Sequence, residues 1–187
     1  MNEGLAKPLR TIVALLEHAS IPYMVVGSFA SMVHGEPRTT HDLDVVIDPT
    51  AASLEAFLAS IDAEQFYVDP DVARDALQRR SMFNVIDMAT AWKLDLIVRK
   101  DRPFSIEELR RRTPQRIVDL DIATATAEDT VIAKLEWSKD GGSERQLSDV
   151  AGILRIRHGS LDLDYIDRWV SELELHAQWS RARALAD

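Results

Sequence analysis

Asp42 and Asp44 stand two residues apart at the head of an apolar run, Asp-Leu-Asp-Val-Val-Ile47. In a strand this spacing sends both carboxylates to one face and Leu43 to the other. Carboxylates this close repel unless a cation lies between them. Mg²⁺ suits the pair, as a hard ion that shares oxygen ligands with phosphates. Upstream, residues 23–26 read as a short apolar strand, Gly27-Ser28 as a turn, and the residues after them as a short helix. Glycine permits the sharp turn and the close approach of a ligand to the backbone. Ser28 is expected to cap the helix, whose N-terminus offers free N–H groups and a positive dipole end to phosphate oxygens. Singly, Gly-Ser is a turn and Asp-x-Asp a solvated strand end. In this order, one half is suited to phosphates and the other to metal, which is the chemistry of a metal-bound nucleoside triphosphate.

A third carboxylate would complete such a site. Residues 82–88 and 92–98 are two strand-like runs joined by Ala89-Thr90-Ala91, a loop short enough for a hairpin. In the second run Leu94, Leu96 and Val98 share a face, and Asp95 and Ile97 lie on the other. A carboxylate in mid-strand is not buried without a partner. Asp95 beside Asp42 and Asp44 supplies one reading; a charge that protects an edge strand supplies the other. Asp87, at the end of the first run, is the rival third carboxylate and is expected to be a solvated turn residue.

Gly-Ser, a gap, and then Asp-hydrophobic-Asp-hydrophobic resembles the signature of the DNA polymerase β-like nucleotidyltransferase superfamily. Arg38 and Thr40 ahead of Asp42 resemble the version in small bacterial nucleotidyltransferases, among them toxins of abortive-infection toxin–antitoxin systems. The resemblance implies an α/β (α+β) fold: a small mixed-sheet core flanked by helices, with a C-terminal helical bundle. It implies transfer of a nucleoside monophosphate from an NTP to an acceptor hydroxyl with two Mg²⁺ ions held by Asp42, Asp44 and Asp95. Gly27 and Ser28 would then orient the phosphates, with Arg38 neutralising charge on the leaving pyrophosphate. The acceptor is left open among tRNA, another RNA, a protein hydroxyl and a small molecule, and a cognate antitoxin is a possible partner. A module of the same fold that binds a nucleotide or partner without catalysis is the other reading.

The elements that must position these residues fall into two parts, 1–125 and 126–187. In the first, the periodicity predicts helices over 5–16, 51–61, 71–80 and 104–112, the hairpin, and a strand pair or extended connection over 117–125. The second is helical. Thr126-Ala-Glu-Asp129 reads as a helix start running to about residue 138, and Ser143-Glu-Arg-Gln146 as a full capping box. In the helix that follows, Leu147, Val150, Ala151 and Leu154 form one stripe, and Asp149, Ile153 and Ile156 a second. Stripes over 166–173 and 179–185 give two more helices. Lys134 and Asp149 lie on helices joined by the Gly-Gly turn, which makes them antiparallel neighbours. They form an interhelical ion pair, or Lys134 contacts a triphosphate as a compact point charge. The resemblance implicates both in nucleotide binding.

Composition sets the outer limits. A chain of 187 residues, 46 % hydrophobic and 28 % charged, is an ordinary single globular domain. With no cysteine, thiolate zinc sites and cysteine nucleophiles are excluded, which fits a reducing, cytoplasmic setting. No signal-peptide core or membrane-spanning run is present. A net charge of −9 argues against general binding to duplex DNA. The one basic stretch, 99–116 with Arg79 and Arg80, is either an acceptor groove or a solvated face balanced by its neighbouring carboxylates. There is no P-loop, no Gly-x-Gly-x-x-Gly and no histidine spacing suited to metal. The four tryptophans are expected mostly in the core.

Overall fold

The computed structural model describes residues 3–37, 39–40, 42–117 and 120–186. The chain runs α1 (Glu3–His18), β1 (Tyr23–Val25), α2 (Gly27–His34), β2 (Asp42–Ile47), α3 (Ala51–Ser60), β3 (Phe66–Tyr67), α4 (Pro70–Arg79), β4 (Met82–Asp87) and β5 (Lys93–Val98). It continues through α5 (Pro103–Arg111), β6 (Thr113–Ile117), β7 (Leu120–Thr124), α6 (Ala127–Gly141), α7 (Glu144–Ile156), α8 (Leu163–Glu172) and α9 (His176–Ala186). All seven strands join one mixed sheet, ordered β3-β4-β5-β2-β1-β7-β6. Its centre is the parallel pair β2 and β5, with β1 antiparallel on the other side of β2. The region 117–125 resolves into the end of β6 and all of β7, an antiparallel hairpin whose second strand runs parallel to β1.

Alternation along the two central strands divides their chemistry. Leu43, Val45 and Ile47 of β2 and Leu94, Leu96 and Val98 of β5 are all buried in one cluster with Leu9, Ile12 and Leu16 of α1 and Leu54 and Phe57 of α3. Each such side chain contributes roughly 1.5–3 kcal/mol by leaving water. The other face carries Asp42, Asp44 and Val46 beside Lys93, Asp95 and Ile97. Val46 and Ile97 pack there against a smaller group formed by Met24, Val26, Ala30, Leu109 and Ala125. A second large cluster gathers α6 to α9 and takes in Phe104 of α5, which meets Trp169 edge-on at 5.2 Å.

Several local expectations change. Asp87 is buried, and its carboxylate accepts from the Thr90 N–H at 2.8 Å and the Thr90 hydroxyl at 2.7 Å. It closes the β4–β5 hairpin and is no solvated turn residue. Thr126 caps α6 as expected, its hydroxyl accepting from the Asp129 N–H. Ser143 occupies the cap position of α7 but makes no side-chain cap bond: the Gln146 N–H donates to the Ser143 carbonyl oxygen at 3.2 Å, and the Gln146 side chain accepts from Lys134 rather than reaching back to Ser143. The second stripe of α7 stops short, since Ile156 is exposed, as is Leu185 at the end of α9. Trp137 is 62 % exposed and lies outside the core, unlike the other three tryptophans.

Candidate active site

β2 and β5 run parallel in a register that pairs Asp42 with Lys93 and Asp44 with Asp95. The pairing brings the two mid-strand carboxylates side by side on the open face. Asn84, opposite Asp95 on the antiparallel strand β4, donates its amide to Asp95 Oδ1 at 2.5 Å. The Lys93 ammonium lies 3.0 Å from Asp95 Oδ2 and 3.8 Å from Asp42 Oδ1. A cation therefore stands between two of the three carboxylates, and it comes from the chain itself. The hydrogen bond to Asp95, with the charges of all three aspartates, holds the Lys93 pKa above its ordinary value.

Asp44 is the inner member. Burial raises its pKa above the usual aspartate value, and the negative charges of Asp95 and Asp42 add to this. A hydrogen bond from the Ser28 backbone N–H and the positive charge of Lys134 act the other way. The contact with Ser28 explains how α2 begins. The cap position is Val26, and Ser28 lies in the first turn, where its N–H serves the aspartate. Ser28 is thus no cap, contrary to expectation. Gly27 has φ +61°, and a Cβ there would stand 2.0 Å from Asp44 Oδ2. Only glycine takes this conformation at little cost and leaves room for the carboxylate. The Val26 N–H donates to the Asp44 carbonyl oxygen at 2.9 Å, fastening the turn to β2.

Lys134 reaches the same place from α6. Its ammonium donates to Gln146 Oε1 at 2.8 Å and to Asp149 Oδ2 at 2.7 Å, and both ends of the ion pair are buried. The ion-pair reading of Lys134 and Asp149 is therefore correct. Yet Lys134 also lines the cleft that holds Gly27, Ser28 and Asp44, whereas Asp149 does not. Thr40 is apart from the cleft, its hydroxyl donating to the Asp42 carbonyl oxygen at 3.3 Å. Arg38 lies outside the described residues.

The cleft has a volume of about 310 Å³ and runs from Asp44 between the sheet and α5 and α6. Val46 and Ile97 form part of its apolar wall, with Phe104, Ala133 and the exposed Trp137. Glu108 of α5 opens onto it as well. Most arginines of the basic stretch are held by carboxylates: Arg99 by Asp48, Arg102 by both oxygens of Glu136, Arg111 by Asp129, and Arg116 by Asp121. That stretch is a balanced surface rather than a free basic groove.

Among the described residues, no three His, Cys, Asp or Glu side chains are grouped closely enough to hold an ion by themselves. Mg²⁺ does not need such a cage, because one or two carboxylates plus phosphate oxygens and water complete its shell. A half-buried Asp44 crowded by Asp95, in a cleft that leaves no space for a Cβ at Gly27, fits that demand.

Lys93, Asn84 and Glu108 were not foreseen. Lys93 had a usable signal, since it precedes Asp95 by two residues and must share its face. Asn84 and Glu108 enter only through strand register and helix packing.

No family model matches the chain, and neither does any curated protein. Solved structures do. The antibiotic-resistance factor ANT(2'')-Ia superposes over 99 % of this chain and 96 % of its own, with TM-score 0.59 and 12 % identity. The lincosamide antibiotic adenylyltransferase LnuA, bound to lincomycin, matches over 80 % of this chain and 96 % of its own, with TM-score 0.52 and 14 % identity. An antigenic nucleotidyltransferase-like protein from Paracoccidioides brasiliensis matches over 96 % and 94 %, with TM-score 0.56 and 16 % identity. The chain has a nucleotidyltransferase fold, a mixed sheet followed by a helical C-terminal region.

Proposed function

We propose that this protein transfers a nucleoside monophosphate from an NTP to the hydroxyl of a small acceptor, with Mg²⁺ as cofactor. The observation that carries the reading is the Asp44–Asp95 pair, set in parallel register and facing the first turn of α2. Asp42, Asp44 and Asp95 would hold the metal. Mg²⁺, when bound, supplies charge neutralisation on the phosphates and acidifies an acceptor hydroxyl. Gly27 and Ser28 orient the triphosphate at the helix terminus, which favours negative charge. Lys134, tethered by Gln146 and Asp149, presents a fixed positive charge to the leaving pyrophosphate. Arg38 and Thr40 precede Asp42 in the sequence, and Arg38 would help to neutralise charge on the leaving pyrophosphate. The acceptor oxygen bonds to the α-phosphorus as the bond to the β-phosphate oxygen breaks, and Asp95 takes the hydroxyl proton.

Two observations support a small acceptor over RNA or tRNA. The arginines that would grip a nucleic-acid backbone are mostly paired internally, on a chain of net charge −9. One structural neighbour, ANT(2'')-Ia, has been solved with adenylyl-2''-tobramycin, and another, LnuA, with lincomycin. Need for an NTP and the absence of cysteine both suit the cytoplasm.

The test supplies each α-labelled NTP with Mg²⁺ and a panel of hydroxyl compounds, including an aminoglycoside, a lincosamide and bulk tRNA. Label is expected in a small acceptor with wild-type protein and in none with Asp44→Asn. Equal transfer by that variant contradicts the assignment.

A further inference from the structure

The open face of the sheet does not end at Asp95. Past it lies β4, and past β4 the edge strand β3. Phe83 and Val85 of β4 and Phe66 of β3 are buried in the large cluster on the opposite face. Alternation therefore turns Met82, Asn84, Ile86 and Tyr67 to the carboxylate side. Register sets them in rows across the sheet. Asp44, Asp95 and Asn84 form one, and Asp42, Lys93, Ile86 and Tyr67 form the next. Tyr67 is 57 % exposed and Met82 43 %, with Ile86 half-buried. A solvated sheet face normally carries polar side chains. Here the polar one, Asn84, is committed to Asp95, and its neighbours are apolar or aromatic.

The transfer chemistry gives this face a direction. Gly27 and Ser28 border Asp44 from the β1 side, and Lys134 lines the same cleft. In-line displacement sets the attacking oxygen opposite the leaving one. With the pyrophosphate held at Ser28 and Lys134, the acceptor hydroxyl enters from the far side of Asp44, where Asp95 and Asn84 stand. The body of the acceptor then rests on β4 and β3. Tyr67 is two strands from Lys93, about 10 Å at the usual strand spacing. A molecule reaching from Asp95 to Tyr67 is longer than one sugar ring. Tyrosine offers a flat apolar face and a polar tip. A sugar ring matches both, with C–H groups on its face and hydroxyls at its rim.

We propose that the open face of β3 and β4 is the acceptor subsite and that it takes a multi-ring glycoside, one hydroxyl at Asp95 and a ring stacked on Tyr67. Tyr67 is its specificity-determining residue, and Ile86 is the floor between the two ends. The inference rests on the nucleotidyl-transfer reading above and adds to it where the acceptor lies and what class it belongs to.

Amide NMR shifts of the ¹⁵N-labelled protein test it, with glucose, maltotriose, lincomycin and tobramycin as probes. At least one multi-ring probe is expected to shift the Asn84, Ile86 and Tyr67 amides, and glucose to leave them unmoved. Tyr67→Ala should weaken that probe by about 5-fold, the scale of one ring stack. Tyr67→Phe should keep the affinity, and calorimetry should find Mg²⁺–NTP binding the same in all three proteins. No multi-ring probe at these amides overturns the proposal, as does equal affinity in a folded Tyr67→Ala. So does a wild-type dimer that Tyr67→Ala converts to monomer, since the face would then be covered by a second copy. Where the proposal falls and wild type still binds Mg²⁺–NTP, the nucleotide site stands; where neither binds, both fall.

Discussion

Asp44 and Asp95 occupy directly paired positions on adjacent parallel strands, and their carboxylates leave the sheet on the same face. This relationship orders the rest of the site. It raises the proton affinity of the half-buried Asp44, and it draws Lys93 and Asn84 onto Asp95 as compensating partners. It also calls for the Ser28 N–H, which fixes where α2 can start. A surplus of negative charge, of which Asp44 lines the cleft, is a natural place for a cation and a triphosphate.

Gly27→Ala should fail in two ways at once. Its φ of +61° is unfavourable for alanine, and the new Cβ would meet Asp44 Oδ2. We expect a loss of about 1–3 kcal/mol in stability and a larger proportional loss of NTP binding, because relief of the contact must move Asp44. Denaturant melts and calorimetry check this. Wild-type affinity in a folded Gly27→Ala would show that the approach to Asp44 is unimportant.

Lys93→Met removes the cation between Asp42 and Asp95. Without Mg²⁺ the variant should be less stable by about 1 kcal/mol, allowing for solvent screening of this part-exposed pair. With Mg²⁺ the gap should narrow, as the ion replaces the ammonium and binds the folded state alone. Thermal melts in EDTA and in Mg²⁺ measure both. An identical gap in the two conditions would mean that Lys93 does not stand where the metal binds.

Lys134→Met should cost about 3–5 kcal/mol, since it removes the ammonium paired with the Asp149 carboxylate. Lys134→Met/Asp149→Leu should recover most of that stability and yet bind NTP poorly. The double variant separates the two roles of the lysine. Restored NTP affinity along with restored stability would reduce the pair to a structural one.

Much of this site was legible from residue order. The spacing from Gly27 to Asp44 and the alternation around Asp95 anticipated the open face, because a period of two is a local property of strands. What was missed depends on partners far away in sequence. Ser28 and Ser143 both looked like caps, but the Ser28 N–H is taken by Asp44 and the glutamine of the Ser143 box by Lys134. Asp87 looked solvated because it ends a strand, whereas the turn it closes lies three residues ahead of it. Glu108 gave no signal, since its burial follows from how α5 meets α6, which no periodicity within α5 encodes.

Glu108 also sets a pH dependence. Its pKa is raised from 4.5 to about 8 in the folded protein, so the folded state retains a proton that the unfolded chain gives up. Its contribution therefore falls as pH rises through that window. Glu108→Gln cannot titrate, and its stability relative to wild type should increase between pH of about 5 and 8, by up to a few kcal/mol. Denaturant melts at several pH values would show it. A difference that stays constant with pH would mean the carboxyl is ionised throughout.

The most direct measurement is calorimetric binding of each NTP with and without Mg²⁺, comparing wild type with Asp42→Asn/Asp44→Asn. The account predicts Mg²⁺-dependent binding by wild type and none by the folded double variant. Binding that persists in the double variant, or that ignores Mg²⁺, would contradict the assignment of this cleft as a metal–nucleotide site.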